Sequence, residues 1–241
     1  MPKDDYKKLT ILVDMDDTIE NLLVHWIGWL NEAYGTSVDA EEIRSWNIQE
    51  AFPSLTTEQV YEPLLLDEFW LRVTPKPDAQ DYLQTLADDG HEIYITTSSN
   101  YKTIPVKMEH VLFKFFPWLD WDHVIIASRK QMIRGDVMVD DGPHNLEGGK
   151  YYKILMDAPH NRDYRGPHNG WPPVVPASDG ARFDTIFDYT SYGKMIRAGN
   201  WSEVYSVITH LAQSLYEIDE EFKKSADLFA KALKEKSYIK E

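Results

Sequence analysis

Five short apolar runs, each closing on polar residues, constrain this chain more than any other feature. They are LTILVD (9–14), HEIYIT (91–96), HVIIAS (123–128), DVMVDD (136–141) and YKILMD (152–157). Runs that are apolar on both faces and rich in β-branched residues suit strands buried inside a parallel sheet. Between them lie helical patterns. AQDYLQTLADD (79–89) gathers Tyr82, Leu83 and Leu86 on one side and stops at Gly90, and residues 104–116 carry a second pattern ended by Pro117. Strands alternating with helices predict an α/β fold, a Rossmann-like doubly wound parallel sheet.

Two stretches interrupt the alternation. Residues 20–75 follow the first strand with no strand pattern of their own. They read as helices at 21–34, ending at Gly35, near 40–46 and at 56–66, and form an acidic helical cap inserted over the strand ends. Residues 158–182 are rich in Pro, Gly, Asn and His and read as a long loop. The end, from about 201 to 236, is helical, with Leu215, Ile218, Phe222, Phe229 and Leu233 in one stripe that either packs on the core or contacts a second copy. The expected organisation is therefore a core of 1–19 and 76–200, a cap of 20–75 and a helical extension of 201–241.

In open α/β sheets ligands bind beyond the carboxyl ends of the strands. The residues leaving the first four runs are Asp14, Asp16 and Asp17; Thr97, Ser98 and Ser99; Arg129 and Lys130; and Asp140 and Asp141. Clustered carboxylates repel unless a cation neutralises them, and oxygen-only ligands point to a hard divalent ion such as Mg²⁺. An ion of that kind beside a carboxylate, a lysine and a hydroxyl is equipment for phosphoryl transfer. The 241 residues carry a formal charge of −15, which disfavours nucleic-acid polymers and membrane surfaces as partners. No apolar stretch reaches the roughly 18 residues of a membrane span, and the start MPKDDYKK is too polar for a signal peptide. The lack of cysteine excludes thiolate sites and fits a reducing cytoplasm. His144, His160 and His168 lack the spacing of a helical metal site and read as solvated loop residues.

Four segments in this order resemble the haloacid dehalogenase superfamily. DMDDT (14–18) matches its first motif, ITTSS (95–99) its strand-ending Thr/Ser motif, Lys130 its lysine and VDD (139–141) its acidic motif. Within it the chain is similar to the 5′(3′)-deoxyribonucleotidase (5′-nucleotidase type C) family. The shared features are DMD running straight into a helical cap, FW followed by P-x-P (Phe69, Trp70, Pro75, Pro77), a lysine ten residues before Asp140, and the His160–Asn161 pair after the last core strand.

The resemblance implies a Mg²⁺-dependent phosphatase acting on a small phosphomonoester, expected to be a nucleoside monophosphate. Asp14 would be the nucleophile, forming an aspartyl-phosphate, and Asp16 the acid and base, its backbone carbonyl also on the metal. Thr97 would bind a phosphoryl oxygen, with Thr96 and Ser98 the competing registers. Lys130 would neutralise charge, Asp140 would hold Mg²⁺ with help from Asp141, and Trp26, Trp46, Phe69 and Trp70 would be the candidates for stacking on a base. Departures are Asp17, where the family has Gly, and Leu22, where it has an aromatic residue. Sugar or polyol phosphates, or a non-catalytic binding module on the same fold, are the alternative readings.

Overall fold

The computed structural model describes residues 6–166, 174–177 and 194–237. Its elements are β1 (Thr10–Asp14), α1 (Leu22–Tyr34), α2 (Thr57–Tyr61), α3 (Asp67–Trp70), α4 (Ala79–Asp88), β2 (Glu92–Thr97), α5 (Ile104–Lys107), α6 (Phe113–Phe115), β3 (Val124–Ile126), β4 (Val137–Asp140), α7 (Pro143–Leu146), β5 (Tyr152–Met156), β6 (Val174–Pro176), β7 (Met195–Ala198) and α8 (Trp201–Ser237). A π-helical turn, Met108–Leu112, joins α5 to α6. The strands form one parallel sheet in the order β3-β2-β1-β4-β5-β7-β6.

Central β1 is buried on both faces because its residues are apolar on both. Ile11 and Val13 join the larger core beneath α4 and α8, while Leu12 packs on the opposite face with Met138, Tyr151 and Leu155. The order reverses beside β1, so Asp14 and Asp140, ending neighbouring strands, face the crevice where such sheets bind ligands.

Residues 158–182 are not the unbroken loop expected from composition. They hold β6 at the sheet edge, where the proline flanking Val174 and Val175 costs no ladder hydrogen bond. Strand β7 was not foreseen either, because four residues containing an arginine carry no strand pattern. Of the histidines read as loop residues, His168 lies outside the described residues.

Between β1 and α4 the described chain is helical. Asp17 sits in the left-handed region at φ 51°, which aspartate tolerates better than most residues, and its carboxylate accepts the Leu23 amide at 2.9 Å. That bond fixes where α1 begins. Gly35, at φ 66°, ends α1 with its amide on the Asn31 carbonyl. The helix expected near 40–46 is only a 3₁₀ turn, Ala40–Glu42, capped by Asp39.

The tail helix divides in two. Trp201, Val204, Ile208, Leu211 and Ala212 are buried, and the Trp201 indole donates to the Thr18 carbonyl at 3.0 Å. The expected packing of the whole stripe fails beyond Leu215: Ile218, Phe222 and Phe229 are exposed because the helix outruns the sheet. The side chain of Leu233 lies outside the described residues. Among the described residues no helix is long and apolar enough to cross a membrane.

Lys153 on β5 is 4% exposed, and burial lowers its ammonium to about 8. Its folded pKa lies below the unfolded value, so folding releases a proton and stability rises with pH between about 8 and 10.5. Lys153→Met is expected to raise stability at pH 7 by about 1 kcal/mol, a gain that shrinks above pH 8. Thermal denaturation of both proteins across pH 6–10 (roughly the lysine titration range) checks this; an equal or lower Tm for the variant at pH 7 refutes it.

Candidate active site

Asp14 ends β1, Asp140 ends β4, and Lys130 enters between them from the 3₁₀ turn after β3. The Lys130 ammonium, 1% exposed, donates to Asp14 Oδ1 and to Asp140 Oδ2 at 2.8 Å. Asp140 Oδ1 is taken by the Gly142 amide at 2.8 Å and Asn145 Nδ2 at 2.9 Å. Burial opposes the lysine charge, but the two carboxylates outweigh it and raise its pKa. Burial, helped by repulsion from Asp140 and Asp16, pushes Asp14 up to about 7 against the pull of Lys130. The nucleophile candidate is thus a carboxylate that an approaching cation would make more anionic.

Asp141 is held differently. Its Oδ2 pairs with His160 Nε2 at 2.8 Å, and Asn161 Nδ2 donates to its backbone carbonyl at 2.8 Å. Arg197 from β7 in turn bonds Asn161 and Asp157. His160 is therefore no solvated loop residue: it is buried, and burial lowers its pKa to about 4. Asp141 Oδ1 is buried with no hydrogen-bond partner. Oxygens of Asp14, Asp140 and Asp141 lie within 4.8 Å of one another, and a second grouping joins Asp17, Asp141 and His160. A buried carboxylate oxygen without a donor, beside two more carboxylates, fits a hard divalent cation. Since both oxygens of Asp140 are engaged, Asp141 offers the freer ligand, reversing the emphasis expected from sequence.

Asp16 has a partner that the sequence reading missed. Lys107, at the end of α5 and fully buried, donates to Asp16 Oδ1 and Ser99 Oγ, with Thr97 Oγ1 at 3.3 Å. Burial alone would raise Asp16, yet the Lys107 charge holds it below the usual carboxylate range. Glu20 lies fully buried against Asp16, and burial, repulsion from Asp16 and a hydrogen bond shared with it push the Glu20 carboxyl well up. The only sequence hint of Lys107 is a lysine on the apolar face of a helix.

These groups open onto a cavity of about 310 Å³, lined on the strand side by Asp14, Asp16, Asp17, Ser98, Lys130 and Asp141. The helical segment contributes Leu22, Leu23, Trp26, Trp46, Ile48, Tyr61 and Leu64. An adjoining compartment of about 520 Å³ shares Asp16, Leu22, Tyr61, Leu64 and Ser98 and reaches Trp70, Ser99 and Asn100. Asp14, Asp16, Lys130, Asp141 and Ser98 thus meet at one place, with Asp140 directly behind Lys130.

Other expectations are corrected. Thr97 does not line the cavity; its hydroxyl faces Ser99 and Lys107, because successive strand residues point to opposite faces. Thr96 bonds the Val13 carbonyl at 3.3 Å, leaving Ser98 as the hydroxyl on the cavity wall. Phe69 is fully buried against Trp29 and Trp70 and lines neither compartment. Trp70 reaches only the second, its indole tied to the Leu64 carbonyl at 3.1 Å. Trp26 lines the first while its indole bonds the Val60 carbonyl at 2.7 Å. Trp46 is half exposed at the rim, edge-on to His144 and His160 with centroids 4.7 and 4.8 Å apart.

Comparison with known proteins agrees with this geometry. The chain is 32% identical over 157 residues to the 5′(3′)-deoxyribonucleotidase of Bacillus subtilis (strain 168), an alignment spanning 65% of this chain and 89% of that protein. It is 30% identical over 155 residues to the 5′(3′)-deoxyribonucleotidase of Clostridium acetobutylicum, covering 64% of this chain and 85% of the relative. Among solved structures, a HAD family hydrolase from Deinococcus radiodurans R1, crystallised with bound phosphate and sodium, superposes with a TM-score of 0.50 at 13% identity, over 86% of this chain and 97% of that one. That likeness confirms the HAD-like α/β fold. The profile of the family "5′ nucleotidase, deoxy (Pyrimidine), cytosolic type C protein" matches residues 7–171, more than half the chain, and with it every strand-end residue described above. The chain belongs to this family of phosphatases.

Proposed function

We propose that the protein hydrolyses the phosphate of a nucleoside monophosphate, preferably a deoxypyrimidine one, through an aspartyl-phosphate on Asp14. The observation that carries the reading is the convergence of Asp14, Lys130, Ser98 and the unpartnered Asp141 Oδ1 on one cavity. An Asp14 oxygen attacks phosphorus and the bond from phosphorus to the substrate oxygen breaks, while Asp16 passes a proton to the departing alcohol. That proton is drawn from the adjoining Glu20 carboxyl, whose pKa burial pushes well up, and Asp16 returns one to Glu20 in the second displacement. In the second displacement Asp16 takes a proton from water, whose oxygen attacks phosphorus and releases Asp14 and inorganic phosphate. Lys130 keeps Asp14 oriented and balances the incoming negative charge, and Ser98 donates to a phosphoryl oxygen. Asp14, Asp141 and the Asp16 carbonyl would hold Mg²⁺, which supplies charge neutralisation on the phosphoryl group when bound.

The mostly apolar helical wall supports the reading of a base-bearing substrate. Trp26 and Tyr61, edge to face at 5.1 Å, form a rigid surface beside Leu22 and Ile48. Stacking on such a surface is worth roughly 1–3 kcal/mol per base. Leu22 in place of an aromatic residue removes one ring face, so the expected preference among bases is modest.

The test is a panel of dTMP, dUMP, dAMP, glucose 6-phosphate and glycerol phosphate, assayed with Mg²⁺ and with chelator. Deoxypyrimidine monophosphates should be turned over fastest, and chelator should remove activity that added Mg²⁺ restores. Mg²⁺ should also raise Tm by relieving repulsion among Asp14, Asp140 and Asp141. Turnover of sugar phosphates with none of dTMP or dUMP refutes the nucleotide substrate; full activity in chelator refutes the metal.

A further inference from the structure

We infer, resting on Asp141 as the Mg²⁺ ligand proposed above, that Arg197 is a positioning residue: it fixes the turn that holds Asp141 and so sets the affinity for the cation. The family profile ends at residue 171, short of Arg197.

An arginine in a short strand with a neighbour on either side is costly unless its donors are met. Strand β7 runs parallel to β5 with Arg197 beside Leu155, and the Asp157 amide donates to the Ala198 carbonyl at 2.8 Å. That register brings the guanidinium, 16% exposed, to the chain leaving β5. Nη1 donates to Asp157 Oδ1 at 2.9 Å and to Asn161 Oδ1 at 2.5 Å. Nη2 donates to the Asn161 and Tyr164 carbonyls at 3.0 and 3.1 Å. One planar fork thus ties residues 157, 161 and 164 together.

The Pro159–Asn161 turn inside that segment turns two successive side chains onto Asp141. His160 Nε2 pairs with Asp141 Oδ2 and Asn161 Nδ2 donates to the Asp141 carbonyl, both at 2.8 Å. Asn161, 2% exposed, gives its other amide hydrogen to the Met156 carbonyl at 2.8 Å. Asp141 is thereby gripped at its carboxylate and at its backbone, while Oδ1 stays without a hydrogen-bond partner. Both grips come from one short turn, and the bonds of Arg197 secure that turn to the sheet. A metal ligand held through partners of this kind loses about 10–100-fold in affinity when they go. Arg162 provides the contrast. It also binds Asp157, at 2.9 Å, and reaches Glu41 at 2.7 Å, but donates to neither oxygen of Asn161.

Mg²⁺ half-saturation, read without substrate by titration calorimetry and by the rise of Tm with added Mg²⁺, is the measurement. Arg197→Met should raise it about 10–100-fold, with turnover of dTMP restored at saturating Mg²⁺. Arg197→Lys keeps a charge beside Asp157 but lacks the fork, so it should shift the same way by less. The lysine variant carries the test if circular dichroism finds the methionine one unfolded. Arg162→Met should keep the wild-type value. A folded Arg197 variant with unchanged half-saturation overturns the inference, even if its Tm is lower, because that pattern belongs to structure alone. An equal shift in Arg162→Met overturns it too, placing the effect in the charge on Asp157. Asp141→Asn separates this outcome from the metal reading. If it binds Mg²⁺ as the wild type does, Asp141 is no ligand and both readings fall. If it loses Mg²⁺ while Arg197→Met keeps the wild-type value, only the role of Arg197 falls.

Discussion

Asp14→Asn is expected to lower kcat on dTMP by roughly 10⁴-fold or more while leaving the fold intact. The amide fills the space of the carboxylate but cannot attack phosphorus. Its effect on stability follows from the charges packed here. Asp14, Asp16, Asp17, Asp140, Asp141 and Glu20 are gathered around the buried ammoniums of Lys130 and Lys107. Burial pushes Asp14, Asp17, Glu20 and Asp141 upward, the sign of a site with more carboxylate than its cations balance. Removing one charge relieves repulsion, and Lys130 keeps Asp140 as its partner. The variant should therefore melt at or above the wild-type temperature without Mg²⁺. Steady-state assay with calorimetry tests both halves; activity within tenfold of wild type defeats the nucleophile assignment.

The core was legible in the sequence because parallel strands buried on both faces leave continuous apolar runs, and their exits carry the chemistry. Five of the seven described strands announce themselves this way, to within one residue at each end save β3, which stops two residues short of its run. Strands β6 and β7 do not, because they lie toward the sheet edge, are short and contain a proline or an arginine. At the exit of β2 the motif gave the segment but not the side chain. Which of Thr96, Thr97 and Ser98 faces the cavity depends on the strand's last residue, and a shift of one position moves the hydroxyl to the other face.

The helical segment was harder because aromatic residues serve core and ligand alike. Phe69 is core, wedged between Trp29 and Trp70, whereas Trp26 is buried and still presents a face to the cavity. Spacing along a helix cannot separate these cases; the separation comes from how α1 and α3 lie on the sheet. His160 escaped for a related reason. Its role depends on Asp141, nineteen residues away, while the neighbouring Asn161 is held by Arg197 of a strand that left no pattern.

Lys107→Met is the substitution outside the four motifs with the largest expected effect, a fall in kcat on dTMP of about 10²-fold with a smaller change in KM. Its ammonium, enclosed by Trp70 at 4.9 Å, Ser99 and Thr97, is what orients the Asp16 carboxylate. Without it Asp16 is free to turn away from the leaving oxygen and lies near Glu20 with no cation between them. Part of the loss could come from weakened packing, and the leaving group separates the two causes. A nucleoside leaves as an alkoxide that must be protonated; p-nitrophenolate leaves without help. With p-nitrophenyl phosphate the first displacement should stay near its wild-type rate while the second, which needs Asp16 to activate water, slows. Rapid mixing should then reveal a burst of nitrophenol close to one per enzyme, followed by a slow steady state. With dTMP the same variant should give no burst. Equal losses on both substrates, with no burst on either, would mean that Lys107 serves packing alone.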